Sequence, residues 1–154
     1  MKARTIALTL VMCFVGLTSA LADNPQLGTW KLNETKSKMP AGSPKNSTIV
    51  YEAMGDQVKI TIDGVDAKGN PTHTEWTGKF DGKDYPVTGD PTSDARSYKK
   101  VDEHNLDFAA TKGGKPTLTG RITVAADGKT RTVHATSTDA EGKKSHMTAI
   151  YDRQ

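Results

Sequence analysis

The stretch that decides the fold spans residues 119–137 and has the sequence TGRITVAADGKTRTVHATS. Apolar residues alternate with polar ones on both sides of its centre, as at Ile122 and Val124. This period of two is typical of a β-strand with one buried and one solvated face. The central Asp127-Gly128 supplies the positive φ that a tight turn requires. The stretch therefore predicts a β-hairpin.

The same pattern recurs along the rest of the chain. Short runs rich in Thr, Val and Ile alternate with clusters of Gly, Asp, Asn and Lys, most of them roughly 10 to 14 residues apart. No long window shows the apolar period of a helix. The pattern predicts an antiparallel meander with strands at 28–33, 47–54, 57–63, 72–80, 95–102, 105–111, 116–126, 130–138 and 145–152, and a short further strand near 85–87.

The number of strands favours a closed sheet. An open sheet of sequential strands would leave two unpaired edges, whereas a barrel pairs every strand. We therefore predict an all-β fold, an antiparallel up-and-down β-barrel of about 8 to 10 strands. Gly78 and Gly120 lie on the predicted inner face, where a barrel strand bends sharply. A sandwich of two sheets is the alternative.

The N-terminus has the three parts of a secretory signal peptide. Lys2 and Arg4 are basic, residues 6–17 are apolar, and an A-x-A cleavage motif ends at Ala22. The apolar run is too short for a membrane span, which needs about 20 residues. We predict that residues 23–154 form one secreted or periplasmic domain with no membrane segment, and a retained N-terminal anchor is the alternative.

Removal of this signal leaves a nearly neutral chain. Residues 23–154 carry 19 basic and 18 acidic side chains. Nucleic-acid binding would need a clustered basic face, so we predict no nucleic-acid partner. Cys13, the only cysteine, leaves with the signal, and no disulfide remains. Sequons at Asn33 and Asn46 could carry glycans in a eukaryotic secretory path.

The first predicted strand carries a family resemblance. Its sequence is LGTWKLN, and the Gly28-x-Trp30 motif resembles the calycin superfamily of lipocalins and intracellular fatty-acid-binding proteins. The C-terminal AIYDRQ, residues 149–154, resembles the closing strand of the latter. The whole mature chain is similar to secreted bacterial lipocalin-like proteins, in which the stretch DGKDYP at 81–86 recurs. The resemblance implies a ligand-binding barrel.

Two departures limit what the resemblance implies. Fatty-acid-binding proteins carry a helix-turn-helix lid after the first strand, whereas residues 34–45 (ETKSKMPAGSPK) predict a loop that could cover one barrel end. Tyr151 matches a tyrosine of the family's last strand, but Ala149 stands where a carboxylate-binding Arg would be. A fatty-acid carboxylate site of that type is therefore not implied.

The resemblance also suggests a role for Trp30. In lipocalins the Trp of the first strand closes the barrel floor, and an Arg from a late strand packs on it. Trp30 matches this Trp, so we predict a structural plug rather than a ligand contact. Arg131 and Arg153 are both candidates for its partner.

The predicted inner face supplies the candidate ligand-binding residues. It is rich in aromatic side chains, which suit a small apolar or amphipathic ligand. Arg96 and Tyr98 share a strand face and could hold an anion if that face points inward. Lys100 continues this face and favours an outward orientation. The inward and the outward orientation of Arg96 and Tyr98 both stay open. The candidate interior residues are Tyr51, Trp76, Arg96, Tyr98, Phe108, Met147 and Tyr151.

The stretch FDGKDYPVTGD, residues 80–90, combines turn signals with three carboxylates. Asp81-Gly82 is a turn signal, and a residue before proline, such as Tyr85, prefers extended backbone. We therefore predict a turn and a Pro-stiffened loop at one barrel end. A loop that gates a ligand site and a calcium site are the alternatives.

Catalytic and metal-binding patterns are weak. The histidines at 73, 104, 134 and 146 lack the spacing of zinc ligands, and no G-x-S-x-G motif provides a nucleophile. We predict no enzymatic activity, no metal and no cofactor.

Two functional hypotheses follow. In the first, a secreted or periplasmic barrel binds a small apolar or amphipathic molecule in its interior. In the second, side chains fill the barrel, and the protein is a non-enzymatic envelope interaction module that contacts a protein partner through loops 34–45 and 81–94. Small barrels exist in both forms, so the sequence leaves the choice open.

Overall fold

A computed structural model describes residues 24–154, and the predicted signal peptide lies outside these described residues. The chain forms ten strands: β1 (Gly28–Leu32), β2 (Lys45–Met54), β3 (Gln57–Val65), β4 (Pro71–Gly78), β5 (Tyr85–Thr88), β6 (Ala95–Lys100), β7 (Asn105–Lys112), β8 (Lys115–Val124), β9 (Thr130–Thr138) and β10 (Lys144–Arg153). The predicted bounds agree with these to within two residues. Within residues 24–154, no helix has the length and apolar character needed to cross a bilayer.

The ten strands close into an antiparallel barrel. Each strand pairs with its neighbours in sequence, and β1 also pairs with β10. The predicted up-and-down barrel is confirmed, and the two-sheet sandwich is wrong. The hairpin predicted at 119–137 consists of β8 and β9, with Gly128 in the turn at a φ of +70°. The short strand predicted near 85–87 is β5.

Inward side chains form layers across the barrel wall. In one layer, strand pairing aligns Met147, Ala135, Gly120, Phe108 and Tyr98, from β10 to β6. The ring of Phe108 lies directly over Gly120. Small residues of the wall thus face large rings from neighbouring strands.

The two inner-face glycines are required by ring packing. A Cβ on Gly78 would lie 2.6 Å from ring atoms of Trp76 and Tyr85. A Cβ on Gly120 would lie 2.2 Å from the backbone carbonyl oxygen of His134 and 2.7 Å from the ring of Phe108. Any side chain at either position would therefore displace an aromatic ring of the core.

The segment before β1 covers one end of the barrel, which we call the closed end. Gln26 is buried there, and its Nε2 donates to the carbonyl of His104 at 3.0 Å. The indole Nε1 of Trp30 donates to the Gln26 carbonyl at 3.0 Å. Arg153 donates to two carbonyls of residues 25–27. These contacts tie the segment to the core.

The connection from β1 to β2 runs first along β10. Lys38 and Thr148 exchange two backbone hydrogen bonds of 2.7 and 2.8 Å. Met39 packs against the buried core. The predicted loop at 34–45 is therefore held against the barrel at these points.

The stretch 80–90 contains a turn followed by β5. The Asp81 carboxylate accepts hydrogen bonds from the Lys83 amide and the Tyr85 hydroxyl, both at 3.0 Å. Its bonds are local, as the turn prediction requires. No group of three or more His, Cys, Asp or Glu residues within 24–154 is arranged to hold a metal ion.

Candidate ligand site in the barrel interior

Arg131 projects from β9 into the barrel and is 2% exposed. Its guanidinium carbon lies 4.4 Å from the ring centre of Tyr51, 5.8 Å from that of Trp30 and 6.0 Å from that of Tyr151. One guanidinium nitrogen, Nη2, donates to the Tyr51 hydroxyl. Contacts between a cation and aromatic faces contribute roughly 0.5–2 kcal/mol each. Arg131 is thus enclosed by aromatic rings.

The positive charge of Arg131 has no counter-ion within residues 24–154. Its Nε and Nη1 are buried without a hydrogen-bond partner there, and no ion pair of these residues includes it. Burial raises the pKa of Tyr51 well above its usual value, although Arg131 opposes this. Burial also raises the pKa of Tyr151 to about 12. Both phenols are therefore neutral at pH 7 and do not balance the charge.

An unpaired buried charge is costly. The penalty after relaxation is still several kcal/mol per ion, and the aromatic contacts offset part of it. Two donor nitrogens of Arg131 have no acceptor within residues 24–154, and arginine binds carboxylates and phosphates strongly through such donors. The arrangement is chemically suited to an acidic group that enters the barrel.

Arg96 and Tyr98 face the barrel interior, so the outward orientation that Lys100 favoured is wrong. Their exposed fractions are 8% and 3%. Lys100 is the last residue of β6, and its side chain reaches solvent at the barrel rim. A charged residue at the end of a strand therefore does not show whether side chains in the middle of that strand face the interior.

Asp90 neutralises Arg96. The Arg96 Nη2 lies 2.7 Å from Asp90 Oδ2, and the carboxylate also accepts hydrogen bonds from Thr92 and Ser93. Burial opposes ionisation of Asp90, but these hydrogen bonds and the charge of Arg96 hold its pKa below its usual value. Only the Nε of Arg96 is buried without a partner in the described chain. Arg96 is thus largely committed to an internal ion pair, unlike Arg131.

A chain of aromatic rings links Tyr51 to Phe108. The Phe80 ring centre lies 6.5 Å from Tyr51 and 6.4 Å from Trp76. The Tyr98 ring lies 4.8 Å from Trp76 and 6.1 Å from Phe108. The rings form a continuous apolar surface inside the barrel.

Solvent reaches part of this inner face. Phe108, Leu118 and Met147 pack against the core but are only half-buried. Tyr51 and Trp76 are almost completely buried. The accessible part of the interior therefore lies along β7, β8 and β10, and Arg131 is shielded from it.

All seven candidate interior residues lie on the inner face, and their role in ligand binding stays a prediction. Sequence reasoning considered Arg131 only as a partner of Trp30, although strand alternation places it on the inward side with Val133 and Ala135. It considered Asp90 as a turn or cation-binding residue. Its pairing with Arg96 depends on the path of the loop and had no signal in the sequence.

Comparisons with known proteins leave the family open. No family model and no curated protein matches the chain. The structure of EF1p2_mFAP2b bound to DFHBI is similar at a TM-score of 0.48 and 14% identity, covering 84% of this chain and 94% of that chain. The redesigned β-barrel b11L5F_LGL has a TM-score of 0.46 and 12% identity, covering 86% and 95%. The redesigned β-barrel mFAP1, bound to DFHBI, has a TM-score of 0.45 and 16% identity, covering 86% and 98%.

These TM-scores and sequence identities are too low to support a conclusion about family or ligand. The fold rests on the strand pairing of the chain itself. Membership of the calycin superfamily stays a prediction from the Gly28-x-Trp30 motif.

Proposed function

We propose that the chain is a secreted or periplasmic, non-enzymatic binding protein that holds a small amphipathic molecule with an acidic group in its barrel. The observation that carries the proposal is Arg131, whose Nε and Nη1 are buried without a partner within residues 24–154. An acidic ligand group would compensate this charge and satisfy both donors. The proposed location rests on the signal-like sequence of residues 1–22.

The ligand would span the interior from Arg131 towards the half-buried side. Its acidic group would lie beside Arg131 and the Tyr51 hydroxyl, and its apolar part would contact Trp76 and Tyr98. We expect the ligand to enter beside Phe108, which is half-buried. Because Tyr98 is 3% exposed, we expect this ring to change rotamer when the ligand binds.

A pair of fluorescent probes tests the proposal. The sulfonate 8-anilinonaphthalene-1-sulfonate and its neutral analogue N-phenyl-1-naphthylamine share one ring system. We expect the sulfonate to bind at least about tenfold more tightly, which corresponds to ~1.4 kcal/mol for the charge contact. Replacement of the guanidinium in Arg131→Met should abolish this preference while leaving the neutral probe unaffected.

The matched control is Arg121→Met, which removes an exposed guanidinium that pairs with Asp107 on the outer surface. It should leave both affinities unchanged. Equal affinity for the two probes, or a preference that survives in Arg131→Met, contradicts the proposal. Native mass spectrometry of the protein from its host should also show an added mass that organic solvent removes.

A filled barrel that acts through its loops is the second candidate function. The complete burial of Trp30, Ile60 and Trp76, at 0 to 1% exposure, favours it because these side chains occupy the interior. Loops 34–45 and 81–94 would then contact a protein partner. In that case neither probe binds, and cross-linking to a partner is lost when surface side chains of the loops are replaced by serine.

A further inference from the structure

A separate recess lies on the outer face of β9 and β10. It has a volume of about 280 Å³ and is open to solvent. Its polar lining comes from two strands and the segment after β1: Lys38, His134, Thr136, His146 and Thr148. Ala135 and Met147 complete the lining, and Met147 is also one of the interior candidates.

Strand register brings the two histidines together. His134 pairs with Thr148, and His146 pairs with Thr136, so the histidines are diagonal neighbours on one face. Diagonal positions on antiparallel strands lie about 7–8 Å apart, within reach of long side chains. The two histidines are therefore not directly opposite each other, but they line the same recess.

Each histidine ring is held by a threonine hydroxyl. His134 Nδ1 lies 3.0 Å from Thr148 Oγ1, and His146 Nδ1 lies 2.9 Å from Thr136 Oγ1. Neither Nε2 has a hydrogen-bond partner within residues 24–154. Lys38 is placed beside them because its backbone exchanges two hydrogen bonds with Thr148. The recess thus presents three nitrogen groups on a fixed framework.

The charges around the recess are positive. Lys38 forms no ion pair in the described chain, and no carboxylate lines the recess. On the neighbouring strand β8, Arg121 pairs in register with His134. The nearest acid in this row is Asp107, which already accepts two hydrogen bonds from Arg121 at 2.6 and 3.0 Å.

We propose that this outer recess binds a small oxyanion of the phosphate class. The lysine ammonium attracts such an anion, and the imidazole N–H groups and threonine hydroxyls can donate hydrogen bonds to its oxygens. The lysine disfavours a metal cation, which would also need more ligands than two imidazoles.

Inorganic phosphate titrated into the protein, with NMR detection of the imidazole C–H signals, tests this site. We expect saturable shifts at His134 and His146, and none at His73, which pairs with Asp63 on β3. Lys38→Ala should weaken binding about fivefold, and His73→Gln should leave it unchanged.

Three outcomes overturn the proposal. The first is a set of shifts at His134 and His146 that do not saturate or that occur equally at His73. The second is an unchanged affinity in Lys38→Ala, since the ammonium would then contribute nothing. The third is tight binding of one Zn²⁺ that survives Lys38→Ala, which identifies a metal site instead. The replaced side chains are exposed or line an open recess, so the fold is expected to be retained and can be checked by circular dichroism.

Discussion

Two arginines lie over the ring of Trp30, and their surroundings differ sharply. The guanidinium carbon of Arg153 is 4.3 Å from the ring centre, and that of Arg131 is 5.8 Å away. At the closed end, Arg153 donates three hydrogen bonds of 2.6 Å, to the carbonyls of Pro25, Leu27 and Gly128. In the interior, Arg131 donates to Tyr51 and leaves Nε and Nη1 without partners in the described chain.

The difference separates a structural arginine from a candidate binding arginine. Arg153 satisfies backbone carbonyls of two chain segments and thereby clamps the closed end. Arg131 is buried with two nitrogens that have no hydrogen-bond partner within residues 24–154, which is rare for buried polar groups in native proteins. The ring of Trp30 contacts both guanidinium groups.

The largest loss of stability is expected from removal of Trp30. Trp30→Ala should lower the free energy of unfolding by about 3–5 kcal/mol, because it deletes a fully buried ring and both cation contacts. Urea unfolding of the purified protein measures this. Trp30→Phe keeps a ring but loses the hydrogen bond to Gln26, so its cost should be smaller; equal costs would contradict a role for the ring.

Arg153→Met should be the next most damaging change. It leaves three carbonyls of the closed end without their donor, which we expect to lower the free energy of unfolding by about 2–4 kcal/mol. Arg121→Met is the matched control, since exposed pairs contribute at most about 1 kcal/mol. If both variants unfold at the same urea concentration, Arg153 is not a clamp.

Arg131→Met should have the opposite effect on stability. Replacement of an uncompensated buried cation by an apolar side chain of similar length should raise the free energy of unfolding of the ligand-free protein by about 1–3 kcal/mol. The same urea series measures it. A decrease as large as that of Arg153→Met would show that both arginines are structural and would remove the support for the interior site.

The smallest effect concerns the ion pair of Asp90 and Arg96. Asp90→Asn should lower the free energy of unfolding by about 1–2 kcal/mol at pH 7, because Arg96 loses its counter-ion. The amide carbonyl can still accept a hydrogen bond from Arg96, which keeps the cost below the ~3–5 kcal/mol of a buried ion that loses its partner entirely. The folded pKa of Asp90 is below its usual value, so this contribution exists above the unfolded pKa and is lost as the pH falls through the folded one. The gap between wild type and variant should therefore narrow from about pH 5 to about pH 2 in urea titrations. A constant gap would show that the charge of Asp90 is irrelevant.

Local chemistry in the sequence was sufficient to predict the strands. The alternation around Asp127-Gly128 identified the hairpin, and the same pattern elsewhere located the other strands to within two residues. Strand periodicity is a local property, and each turn is set by a few adjacent residues. Closure into a barrel followed from the need to pair both edges.

The same reasoning failed where a side chain meets a partner far along the chain. The outward orientation of Arg96 was wrong because Asp90 compensates its charge through a loop whose path the sequence does not show. The outer recess on β9 and β10 was also not predicted. Its lining depends on the strand register of His134 and His146 and on the contact of Lys38 with Thr148.

The sequence by itself thus determined the all-β class and the positions of the ten strands. Only the tertiary structure decided which arginine is satisfied and which is not. Arg131 and Tyr51 are 80 residues apart, and Arg153 and Pro25 are 128 residues apart. Burial and charge compensation depend on such distant neighbours, whereas strand and turn formation depend on adjacent residues.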